Sequence, residues 1–157
     1  MKNIGIRLEK WMFFIFVLIV MNLTGSCQEV DTIEEDLKCR IESVNGPDDD
    51  VIGKWKLVKE ERFRMIDGEI RINDYSCNNI IYEFKEDGLL EVTNDTGDEN
   101  HASGEYSYEF TSASSNENGY PILKKGNLSW PCNIENSSLT LNLASLDGPT
   151  LFFIRIK

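Results

Sequence analysis

The chain has 157 residues, room for one domain of ordinary size. It carries 16 Lys+Arg against 27 Asp+Glu, a net charge of −11, and such a surface repels nucleic-acid phosphates, so no nucleic-acid partner is expected. The four cysteines include no C-x-x-C pair and His101 is the single histidine, so neither a metal site nor a cofactor is expected.

The N-terminus is basic through Lys2, Arg7 and Lys10, and an apolar run of 11 residues, Trp11 to Met21, follows. A spanning helix needs about 20 apolar residues, so length and flanks fit a secretory signal segment over residues 1–26 instead. Its removal takes away three basic residues and Glu9, leaving a net charge of −13. Leu23-Thr24-Gly25-Ser26-Cys27 resembles the lipobox of bacterial lipoproteins, in which small residues precede a cysteine that is diacylated and becomes the new N-terminus. Thr24 departs from the leucine usual at that place, and Leu23 sits one place early. The resemblance implies lipidation of Cys27 and a cell-envelope location, with the outer membrane expected and the chain facing the periplasm or the surface. Two or three acyl chains on one residue make a stable membrane anchor. Plain secretion with cleavage after Gly25 or Ser26 is the alternative. Asp31-Thr32-Ile33 also resembles a bacterial O-glycosylation triplet.

Residues 27–50 are polar and acidic, ending in Asn45-Gly46-Pro47-Asp48-Asp49-Asp50, and are expected to form a flexible linker. Ile33, Leu37 and Ile41 are spaced by four, which allows at most a short helix.

From Val51 onward the pattern has period two. Gly53, Trp55 and Leu57 share one face of a strand, with Lys54 and Lys56 on the other. A glycine two places before the tryptophan leaves room for the indole to cross neighbouring backbone. A pair of strands is expected to flank Asp67-Gly68. Ile80, Tyr82 and Phe84 alternate with polar residues, and Asp87-Gly88 predicts a type I′ hairpin into Leu90 and Val92. Tyr106, Tyr108 and Phe110 share a face; so do Leu128, Trp130, Cys132 and Ile134, where Pro131 marks an edge or bulge. Leu139, Leu141 and Leu143 alternate, and Asp147-Gly148-Pro149 turns the chain into Leu151–Ile156. About eight to ten short strands at this spacing read as an all-β barrel or sandwich over residues 51–157.

Gly53-x-Trp55 on the first strand and Arg155 on the last resemble the lipocalin pattern, and the domain is most similar to small lipocalin-like domains of bacterial lipoproteins. The resemblance implies a small antiparallel up-and-down β-barrel. It also implies that Arg155 lies over Trp55 and closes one end by a cation–π contact and hydrogen bonds to backbone carbonyls. The chain is shorter than a lipocalin and shows no C-terminal helical pattern.

Catalytic patterns are missing: the sequence holds no G-x-S-x-G and no H-E-x-x-H, and no catalytic residue is assigned. His101 sits in the polar stretch Asn94–Ser103 and is expected to face solvent. In an oxidising compartment Cys77 and Cys132, both in the barrel, are expected to pair; Cys39 is the competing partner of either, since three cysteines allow three pairings. The aromatic residues Tyr82, Phe84, Tyr106, Tyr108, Phe110 and Trp130 are expected to fill the interior rather than line a cavity. The expected function is non-enzymatic: a membrane-anchored barrel binding a small apolar molecule, a glycan or a protein. An inhibitor or surface-complex subunit with a filled barrel is the alternative. An enzyme using a cavity carboxylate comes third.

Overall fold

The computed structural model describes residues 36–157 apart from Asn136. The signal segment over residues 1–26, Cys27 and Asp31-Thr32-Ile33 lie outside them. Nine strands follow in order: β1 (Gly53–Phe63), β2 (Ile70–Asp74), β3 (Ile80–Phe84), β4 (Leu89–Asn94), β5 (Gly104–Thr111), β6 (Ile122–Lys125), β7 (Leu128–Glu135), β8 (Ser138–Asn142) and β9 (Thr150–Ile156). All pairings are antiparallel, and β9 returns to β1 from Lys54 to Glu61. Eight strands therefore close a barrel, and β2 stands outside the ring on the second half of β1. Closure leaves no free edge in the ring. Among the described residues the helical pieces are three single 3₁₀ turns.

Alternation decides what points inward. Trp55, Leu57, Tyr82, Phe84, Leu90, Val92, Leu139, Leu141, Leu151 and Phe153 form the buried interior, as their period-two spacing predicts. One irregularity matters for the site. The β1–β9 register shifts between Leu57 and Lys59, and Leu57 and Val58 are both buried. This bulge reverses the phase of β1, so Glu60, which strict alternation from Trp55 would place outside, is only 3% exposed.

Pro131 sits where β7 passes from one partner to the next: it pairs with Ile122 of β6, and pairing with β8 begins at Cys132. Its missing N–H falls where no β8 residue needs it. The β3–β4 turn is not type I′, because Gly88 is at φ +79° and Asp87 is not at positive φ. Gly88 N–H donates to the Lys85 carbonyl at 3.1 Å and Lys85 N–H to the Leu89 carbonyl at 2.9 Å, a type I turn closed by a glycine bulge.

The linker expectation needs correction. Residues 36–50 contain no helix and run as an extended strap bound to the barrel. Leu37, Cys39, Ile41 and Val44 are half-buried, while Lys38, Arg40 and Glu42 are exposed. Cys39 N–H donates to Ser76 Oγ at 3.0 Å and Val44 N–H to the Arg155 carbonyl at 3.0 Å. Val58 and Ile154 are buried without belonging to the interior cluster, and the strap is held to β9 at Arg155 and to the β2–β3 turn at Ser76. The folded unit accordingly starts upstream of Val51 and takes in the strap, residues 36–50. Barrel, strap and disulfide all lie within it, so a chain from residue 28 onward carries the complete fold.

The disulfide joins Cys39 to Cys77, with 5.1 Å between Cα atoms, and not Cys77 to Cys132. Cys77 lies in the β2–β3 turn outside the wall, whereas Cys132 points inward from β7, opposite Leu141, and is 7% exposed. The wall stands between them. Burial pushes the free Cys132 thiol up to about 12, which makes it a small inert core residue.

Candidate functional site: two unlike barrel ends

One end is sealed. The Arg155 guanidinium stacks on Trp55 with 4.2 Å to the ring centroid. Its Nη1 donates to the Ile52 carbonyl at 2.8 Å, and its Nη2 to the Pro47 and Asp50 carbonyls at 2.9 and 3.0 Å. Trp55 Nε1–H donates to the Val51 carbonyl at 2.6 Å. The sequence places this pair correctly, but the glycine argument shifts. Gly53 is needed for its φ of +122°, which side chains rarely adopt, while a Cβ there would meet only Arg155 Nη1 at 3.4 Å. Gly46, which sequence reasoning passes over, is the steric requirement: a Cβ there would lie 2.6 Å from Arg155 Cζ.

The opposite end is open. A cavity of about 270 Å3 lies between Leu90, Leu123, Leu141, Leu151, Tyr82 and Trp130, with Glu60, Arg62, His101 and Lys125 on its wall. The interior is therefore half filled, not solid. Phe84 and Phe153 join Trp55 in the packed half, whereas Tyr82 and Trp130 border empty space. Large exposed apolar side chains also gather at this end. Phe63, Met65, Ile66, Ile70 and Ile72 on the β1–β2 hairpin, with Leu128 and Leu146, are each more than half exposed.

His101 is not a solvent-facing loop residue. It is 4% exposed and roofs the cavity from the β4–β5 connection. That connection folds through its own Asx chemistry. Asn94 Nδ2 donates to the Asp98 and His101 carbonyls at 2.9 and 3.0 Å, and the Asp98 side chain caps the 3₁₀ turn Glu99–His101. Tyr75 O–H donates to Asp98 from β2's side at 2.8 Å, and the Asn100 N–H, with Tyr75 second, keeps the Asp98 carboxyl below the usual range.

The polar wall is a chain of satisfied groups. Tyr82 Oη lies 3.0 Å from His101 Nδ1, His101 Nε2 lies 3.3 Å from Glu60 Oε2, and Arg62 Nη2 lies 3.1 Å from Glu60 Oε1. The hydrogen bond from His101, together with Arg62, holds the Glu60 carboxyl below its ordinary range against the opposing effect of burial. An ionised Glu60 only accepts, so Nε2 carries a proton, and Nδ1 shares a hydrogen bond with the Tyr82 hydroxyl. Burial pushes the Tyr82 hydroxyl well above the usual phenol range, so it keeps its proton. Both histidine nitrogens are thus occupied, and the network orients groups at the cavity wall. Lys125 stands apart, half-buried, with Nζ 3.7 Å from the Tyr106 ring centroid.

Among the described residues no group of three or more His, Cys, Asp or Glu side chains could hold a metal ion. Glu60 was within reach of sequence reasoning, since Leu57-Val58 breaks the alternation that Trp55 and Leu57 establish. Lys125 was hidden because β6 is four residues long, preceded by a proline and ending in two lysines. No family model, no curated protein and no solved structure matches this chain.

Proposed function

We propose that the protein is a lipid-anchored component of a bacterial cell envelope that binds a small apolar molecule, without catalysis, in the open end of its barrel. The observation that carries the reading is the cavity: about 270 Å3, walled mainly by leucines, with a few polar groups fixed in place at one side. Ligand sites have that composition, and this one lies just below their common size range of about 300–1,000 Å3. A disulfide fits an exported protein. The anchor reading rests on Leu23–Cys27.

One observation favours a second reading, docking of a protein partner: the exposed hairpin side chains Phe63, Met65, Ile66, Ile70 and Ile72 form an apolar surface of the kind that marks interfaces. Native mass spectrometry separates the two. Residues 28–157 secreted into a bacterial periplasm should carry a discrete small-molecule mass that organic extraction releases. The full chain recovered from membranes should carry acyl chains that Cys27→Ser abolishes. A protein that is always empty and takes up no apolar probe would sink the binding reading, and an unmodified Cys27 would sink the anchor.

A further inference from the structure

Lys125 is the one charged side chain of the cavity wall without a partner among the described residues. It lies on β6 opposite Tyr108 and faces inward with Leu123, which is buried. It forms none of the ion pairs, and its Nζ lies over two aromatic faces, 3.7 Å from the Tyr106 ring centroid and 5.7 Å from that of Tyr82. Burial already works against its charge. The other wall charges are spent on each other: both Glu60 oxygens are taken, one by Arg62 and one by His101. The wall therefore holds two cations against one anion, in a chain whose net charge is −11.

An apolar molecule entering this cavity strips water from the Lys125 ammonium. A neutral ligand would leave that charge dry and unpaired, which is costly; a ligand carrying one negative charge would pair it. Resting on the reading of the cavity as an apolar binding site, we propose that the ligand is a small amphiphile with a single anionic head, a carboxylate or its equivalent, that pairs with Lys125 while its tail lies among Leu90, Leu123, Leu141 and Leu151. The cavity sets the tail length. At about 30 Å3 per water-sized group it holds about nine such groups, the size of an eight-carbon acid.

Octanoate, 1-octanol and octylammonium share a tail and differ in the head. Titrated calorimetrically into residues 28–157 at neutral pH, octanoate should bind about tenfold or more tightly than octanol, and octylammonium most weakly. Lys125→Met keeps a flexible apolar stem and should bring octanoate down to the level of octanol while leaving octanol unchanged. Equal binding of octanoate and octanol by the unaltered chain, or tightest binding of octylammonium, would overturn the head-group assignment and leave the apolar site standing. Failure of all three to bind would remove both. If Lys125→Met does not fold, the ranking of the three heads on the unaltered chain still decides.

Discussion

At the sealed end, Trp55, Phe84 and Phe153 fill the interior and Arg155 is locked by three backbone carbonyls from the strap and the start of the barrel. At the other end the same strands present leucines, and about 270 Å3 stays empty beneath a roof of His101, Glu60 and Tyr82. One ring of strands thus gives a plug or a pocket, depending on whether inward positions carry large rings or medium aliphatics. The covers differ as well. The plug is covered by backbone carbonyls that cannot titrate, and the pocket by a carboxylate, an imidazole and a phenol that make a directional surface.

This contrast can be broken from the plug side first. Trp55→Ala should cost about 3–5 kcal/mol in urea unfolding, the range for large aromatic deletions in filled cores; a loss below about 1 kcal/mol would mean that Trp55 is not a plug. Removing the Cys39–Cys77 bond, which spans 38 positions, should cost about 3–4 kcal/mol if the strap unfolds with the barrel. Early hydrogen exchange confined to residues 37–44 would show instead that the strap lifts separately. Gly46→Ala should cost about 1–3 kcal/mol, because the guanidinium that a new methyl would strike is pinned and cannot yield.

The two halves should then answer differently to the same enlargement. Leu57→Phe in the packed half should cost about 1–3 kcal/mol by overpacking, whereas Leu90→Phe, which grows into the cavity, should cost less than about 1 kcal/mol. Equal costs would mean that the cavity collapses readily. The smallest effect belongs to the polar roof. Glu60 has a folded pKa below its unfolded value of about 4.3, so its contribution is present above that pH and is lost as pH falls through the folded value. Glu60→Gln should flatten the acid side of the stability curve relative to the parent chain; parallel acid limbs would rule the linkage out.

The plug was legible and the pocket was not, for a physical reason. Trp55, Gly53 and Arg155 sit on regular strands where spacing predicts facing, and an arginine over an indole is a local pairing of two distinctive side chains. The roof depends on a one-residue bulge at Val58 that turns Glu60 inward and on a connection, Asn94–Ser103, that folds through Asn and Asp side chains. Polarity alone made that connection look solvated. Composition also hid the strap: Leu37, Cys39 and Ile41 repeat with period two, but acidic neighbours read as a tether. The cysteine pairing failed because which face of the wall Cys132 occupies becomes clear only once β7 is placed in the ring.

The most direct test of two unlike ends is methyl NMR of residues 28–157 titrated with octanoate. The account predicts shifts at Leu90, Leu123, Leu141 and Leu151, with Val51 and Leu57 in the packed half unmoved. Shifts spread evenly over both halves, or confined to the outer face with the cavity leucines silent, would contradict it.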